Sequence, residues 1–180
     1  MINKLRKYLC IFVVTLAIGG FLYYSSLESE KEQIIEMALS CEDSLSSIVF
    51  QSRKIQGVKQ WGMQAGDEPY AGYSWDQQPF FFDAKNQIVE DCENIFSKYP
   101  FDKIEVFYDD AKNLKIDFSQ TKKKGTEKIT YHLVYFDPDY NLLLVSGSID
   151  LLFQFDISEN LVLDNWYCVS QRECNEAPSN

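Results

Sequence analysis

Histidine is almost missing from this chain: His132 is the single one in 180 residues. No Cys-x-x-Cys pair accompanies it, so a four-ligand zinc site or a dithiol redox motif has no scaffold. No Gly-x-Ser-x-Gly elbow supplies a nucleophile for His132 to activate, which leaves a histidine-based hydrolase without its second partner. Positive charge is also short, with 17 Lys+Arg against 27 Asp+Glu and a net of −10. An acidic balance of this size argues against nucleic acid and against anionic lipid as partners, and it fits a basic protein partner or plain solubility. There is no Asn-x-Ser/Thr acceptor, no internal repeat and no low-complexity tract. No cofactor motif is present, so neither a cofactor nor a metal is expected.

What is present begins at the N-terminus. Lys4, Arg6 and Lys7 form a basic head, and Tyr8 to Tyr24 then runs without a charge. A basic head before an apolar run marks a secretory signal or a membrane anchor. A full span needs about 20 apolar residues, and residues 8–24 sit at the short edge of that range. Ala17-Ile18-Gly19 could be a cleavage site, but Phe21 to Tyr24 carry the apolar run past it, and the tyrosine pair suits an interfacial anchor. The expectation is residues 1–24 as signal-anchor or transmembrane segment and residues 25–180 as one exported domain. The basic head puts the N-terminus in the cytoplasm. The chain is thus expected in the cell inner membrane, single-pass, with its C-terminal domain in the periplasm, or secreted to the periplasm if the leader is cleaved. Without residues 1–24 the balance is 14 Lys+Arg against 27 Asp+Glu, a net of −13.

The exported part is predicted to be α+β. Glu28 to Ile55 reads as a helix with Ile34, Ala38, Cys41, Leu45, Ile48 and Ser52 at three-four spacing, ended by Gly57. Asp83 is the expected N-cap of a second helix through Lys98, with Ile88, Cys92, Ile95 and Phe96 on its apolar face. Tyr99-Pro100 stops that helix. From Lys103 the period becomes two. Six strands are predicted, around Ile104–Tyr108, Leu114–Phe118, Ile129–Tyr135, Leu142–Val145, Ile149–Phe155 and Leu161–Tyr167. Short polar connections make them an antiparallel meander sheet with the two helices packed on one face.

Four cysteines follow the leader. An even count outside the cytoplasm suggests disulfides, and the expected bridges are Cys41–Cys92 between the helices and Cys168–Cys174 across a short tail loop. Asp109, Asp110, Asp137 and Asp139 lie in turns at unknown separation, so a catalytic carboxylate pair cannot be read from them. Asp137 to Asn141 starts like a calcium loop but has Leu142 where glycine is needed and Ser148 where glutamate is needed. Lys122-Lys123-Lys124 reads as a basic hairpin tip.

Gly57 to Phe82 reads as a long loop holding Trp61, Tyr70, Tyr73, Trp75 and three phenylalanines among four glycines. Such loops inside a domain are usually functional, and rigid aromatics are favoured at binding hot spots. Trp61, Asp67, Glu68, Tyr70, Tyr73, Trp75 and Asp76 are therefore the expected partner-binding residues; the alternative is that the aromatics are core. On this reading, removing Trp61 and Trp75 abolishes partner capture and leaves the fold intact. The expected function is a non-enzymatic, membrane-tethered envelope protein that binds another protein, in an inhibitor or immunity-type role. The alternatives are an accessory subunit of an envelope or secretion assembly, and a hydrolase of no recognised motif.

Overall fold

The computed structural model describes residues 12–15, 18, 20, 25, 29–72, 78–79, 82–124, 127–139 and 161–174. The chain divides into two units, residues 1–33 and 34–180. In the first, residues 12–15, 18, 20, 25 and 29–33 are helical. Among the described residues no helix is long and apolar enough to cross a membrane. Most of the segment expected in the membrane, residues 8–11, 16–17, 19 and 21–24, lies outside them.

The second unit opens with helical residues 34–40 (α1) and continues through Cys41 into α2 (Glu42–Ser52). All six positions of the apolar stripe, Ile34, Ala38, Cys41, Leu45, Ile48 and Ser52, are buried. The single helix expected from periodicity is interrupted at Cys41. Its N–H donates to the Ala38 carbonyl three residues back, at 3.2 Å, in a turn that resumes as helix at Glu42. The other helix, α3, spans Lys85–Lys98 and buries Ile88, Cys92 and Ile95. Asp83 is not its cap: Ala84 holds the N-cap position and makes no side-chain cap bond. Tyr99 leaves the helix extended (φ −141°, ψ 134°), as the proline after it requires. Polar contacts register α2 against α3. Asn94 Nδ2 donates to Ser44 Oγ (2.9 Å), and Ser47 Oγ donates to Asp91 Oδ2 (2.6 Å), so the helices run antiparallel.

The strands are β1 (Gln60–Gln64), β2 (Tyr70–Ala71), β3 (Gln78–Pro79), β4 (Lys103–Tyr108), β5 (Leu114–Lys124), β6 (Glu127–Phe136), β7 (Leu161–Leu163) and β8 (Trp166–Cys174). They form one antiparallel sheet in the order β3-β2-β1-β4-β5-β6-β8-β7. The expected meander is the stretch β4-β5-β6. The strands expected at Leu142–Val145 and Ile149–Phe155 lie outside the described residues. The strand expected over Leu161–Tyr167 is instead a hairpin. Asn165 takes a left-handed conformation (φ +61°), turning β7 into β8, and its carbonyl accepts from the Phe136 N–H at 3.1 Å.

Period-two alternation assigns the two faces of the sheet. One face carries two cross-strand rows, Trp61-Val106-Ile116-Tyr135-Trp166 and Met63-Ile104-Phe118-Leu133-Cys168, and every member is buried. The helices pack on this face. Phe96 of α3 meets Phe118 edge-on with ring centroids 6.0 Å apart, and Tyr108 Oη donates to the Ser52 carbonyl at the end of α2 (2.9 Å). The other face carries the rows Gly62-Glu105-Asp117-Val134-Tyr167 and Gln64-Lys103-Ser119-His132-Val169.

The segment read as an aromatic loop is therefore sheet over β1 to β3. Trp61 and Met63 alternate inward, and Gly62 between them looks like turn chemistry in sequence. Its role is close approach: a Cβ there would lie 2.8 Å from Tyr70 Oη and 2.9 Å from the Ile104 carbonyl oxygen. The phenol could shift, but the β4 backbone cannot do so without breaking its pairing. Gly62→Ala is expected to destabilise the domain by about 1–3 kcal/mol, read as a lower urea midpoint. An unchanged midpoint would show that β1 does not approach β4 and Tyr70 this closely at Gly62.

Candidate functional site

One concave surface lies beside α2. Glu42, Leu45, Ser46, Val49, Phe50 and Arg53 recur at three-four spacing along one side of the helix, and the β7–β8 turn (Leu163 to Trp166) faces them across a cleft of about 230 Å³. Phe50 is 58% exposed there, against the usual preference for burying a phenyl ring. Glu42 and Asp164 are exposed carboxylates on its lining. The Arg53 guanidinium is committed elsewhere: its Nη2 donates to Asp137 Oδ1 (2.6 Å) and Tyr135 Oη (2.9 Å). Tyr135 Oη also donates to Asp137 Oδ1 (2.7 Å), and the Leu114 N–H donates to Oδ2 (2.8 Å). Burial pushes the Asp137 carboxyl up, but these donors together with the Arg53 charge outweigh it and hold it below its usual value. Burial, reinforced by Asp137, pushes the Tyr135 phenol up to about 12. Asp137, considered from sequence as a catalytic or calcium-binding carboxylate, is thus a structural anchor between α2, β5 and β6.

A second polar assembly lies on the sheet face away from the helices. His132 Nδ1 and Asp117 Oδ1 are 2.9 Å apart. Lys115, 5% exposed, places Nζ 3.6 Å from Asp117 Oδ2, and Lys103 Nζ contacts Glu105 Oε2 at 2.6 Å. Burial raises the Asp117 carboxyl, yet His132, Lys115 and Lys103 together bring it down to about 2. The pair orients an imidazole as an acid–base catalyst would need. Ser119 lies directly opposite His132 in register. Among the described residues, however, His132 Nε2 is buried without a hydrogen-bond partner, so no described hydroxyl is bonded to it for activation.

The residues expected to bind a partner are divided by the structure. Trp61 is fully buried, and its Nε1–H donates to Tyr108 Oη at 3.0 Å. Tyr70 is buried over Gly62. Both are buried in this fold, so removing Trp61 is expected to cost folding stability, which corrects the expectation that the domain stays intact without it. Asp67 and Glu68 are exposed, with Glu68 paired to Lys85. Tyr73, Trp75 and Asp76 lie outside the described residues.

The expected disulfides are also corrected. Cys41, Cys92 and Cys168 are buried, and none of the three is in a disulfide. The polar register of α2 against α3 sets Cys41 opposite residue 97, not Cys92, an axial offset of about 7.5 Å at 1.5 Å per residue. Cys168 and Cys174 lie on one continuous strand, β8, rather than across a loop. Extended chain separates them by roughly 20 Å, far outside disulfide reach. Burial, then Asp91 and Glu93, pushes the Cys92 thiol well up, which keeps it unreactive.

Of the remaining turn aspartates, only Asp109 is shown holding the backbone through its carboxylate. Asp109 accepts from the Asn113 N–H (2.9 Å) and Nδ2 (3.0 Å), closing the β4–β5 turn. Asp110 is exposed and pairs loosely with Lys59 at 3.4 Å. The Asp139 carbonyl accepts from Asn113 Nδ2 (2.9 Å). Lys122 lies within β5, which continues to Lys124, and its ammonium is 5.8 Å from both the Tyr99 and Tyr131 rings, so it packs on aromatics as well as facing water. Among the described residues no group of three or more His, Cys, Asp or Glu could hold a metal ion. Compared with known protein families, curated proteins and solved structures, the chain matches none.

Proposed function

We propose that this chain is a non-enzymatic protein of the cell envelope, tethered through residues 8–24, whose periplasm-facing domain binds a basic protein in an inhibitor or immunity-type role. The observation that carries this reading is the α2 cleft, where an exposed phenyl ring stands beside exposed carboxylates in a chain of net charge −10. Acidic surface steers a cationic partner, and a central aromatic supplies contact area. Lys54 Nζ already lies 3.8 Å from the Phe50 ring centroid, and an arginine of the partner could take over that cation–π contact.

The test is affinity capture from membranes of the native host with C-terminally tagged full-length chain, followed by mass spectrometry. Wild type is expected to return one stoichiometric basic partner. A variant combining Phe50→Ser, Glu42→Lys and Asp164→Lys should lose most of it, on the order of tenfold or more, with an unchanged circular dichroism spectrum. Equal recovery by the two proteins would remove the cleft from consideration, and loss through Asp67→Lys with Glu68→Lys would move the surface to the β1–β2 connection. Recovery of several membrane proteins together would support an assembly subunit instead.

A further inference from the structure

A larger cleft opens where the C-terminal end of α2 meets the N-terminal end of α3. Its volume is about 620 Å³, and its lining is Gln51, Lys54, Ile55, Gln56, Phe82, Asp83, Ala84 and Gln87. That is the size range of small-molecule sites, whereas the cleft beside α2 falls below it. The chemistry is distinctive. Three of the side chains are primary amides, each carrying two donors and an acceptor. The only charged ones, Lys54 and Asp83, are of opposite sign, and Lys54 already donates to Gln51 Oε1 at 3.1 Å. Phe82 supplies a flat apolar wall, held in place by its ring contact with buried Trp61 (centroids 5.8 Å apart). Apart from it, only Ile55 and Ala84 are apolar, and Ile55 is itself buried, so there is no deep pocket to anchor the side chains of a peptide.

We propose that this cleft binds a neutral saccharide. Sugar hydroxyls both donate and accept, so they match amides that do the same, and the C–H face of a pyranose matches an aromatic wall. The balanced lining charge offers nothing to a strongly anionic or cationic ligand. This site is separate from the cleft beside α2 and does not rest on the protein-binding role.

The experiment is isothermal titration calorimetry of the full-length chain in detergent with two neutral trisaccharides, chitotriose and maltotriose, and an anionic one, trigalacturonate. At least one neutral trisaccharide is expected to bind with a dissociation constant of about 1 mM or tighter, and trigalacturonate is expected not to bind. Gln56 and Gln87 are exposed, so Gln56→Ala with Gln87→Ala should weaken binding about tenfold at an unchanged melting temperature. Absence of heat with both neutral sugars at about 10 mM, binding of trigalacturonate alone, or wild-type affinity in the double variant would each overturn the proposal.

Discussion

Trp61→Ala is expected to remove about 3–5 kcal/mol of folding stability, a large part of the 5–15 kcal/mol of a typical domain. The indole is fully buried, its residue is opposite Val106 of β4 on one side and Ala71 of β2 on the other, and the ring meets Phe82 at a 45° tilt. Its removal leaves a cavity in the row that α2 covers. It also takes away the donor that Tyr108 Oη accepts from, although Tyr108 keeps its own bond to the Ser52 carbonyl. Trp61→Phe should lose less, because the ring volume is partly kept and only the N–H is lost. The measurement is urea unfolding followed by circular dichroism. A loss under about 1 kcal/mol for the alanine variant would mean that the side chain is not packed as described.

Asp117→Asn is the second large effect. The carboxylate is nearly buried and serves His132, Lys115 and, at longer range, Lys103. Taking away one partner of a buried charge group leaves the others uncompensated, and a loss of about 3–5 kcal/mol follows. A pH signature separates this from a packing defect. The Asp117 carboxyl titrates at about 2 in the folded chain against 3.8 ordinarily. The unfolded chain therefore takes up the proton first on acidification. The stabilisation is fully present above the ordinary value and is lost as pH falls from 3.8 towards 2, amounting to about 2 kcal/mol. Wild type should show this acid limb, with Asp137 adding to it in the same direction, and the asparagine variant should show a shallower one. Parallel pH profiles for the two proteins would mean that Asp117 is not held in this charge group.

The sequence makes some parts of this fold readable and hides others. Strands β4, β5 and β6 alternate with period two, and α2 and α3 keep their three-four stripes, because each turns a continuous apolar row towards the layer between sheet and helices. Strand β1 is hidden because its outward position is a glycine under Tyr70, so Trp61-Gly62-Met63 shows no polar partner to the apolar residues. The β7–β8 turn is hidden because Asp164-Asn165 interrupts an otherwise apolar run, and only Asn165 in the left-handed region reverses the chain. Asp117 and His132 each read as outward-facing strand residues. That they meet depends on a register between strands that no local pattern specifies. The same holds for Arg53 and Asp137. The cysteine positions were plain in sequence, but the helix register and the continuity of β8 decide which thiols can meet. The exposure of Phe50 was equally out of reach, since nothing in the periodicity of α2 says how much of its flank the sheet will cover.

The row Trp61-Val106-Ile116-Tyr135-Trp166 also fixes an order of events in folding. Strands β4 and β5 are joined by residues 109–113, whereas β1 reaches β4 only across residues 65–102, with α3 between them. Closing the longer connection costs roughly 2 kcal/mol more in chain entropy. The Val106-Ile116-Tyr135 centre can therefore assemble as a local nucleus, and Trp61 joins it from the far side of a long loop. Trp61 at one end of the row, and Trp166 at the other, are therefore added to the centre after it has formed, so burial of indole marks the closing of the fold and not its opening.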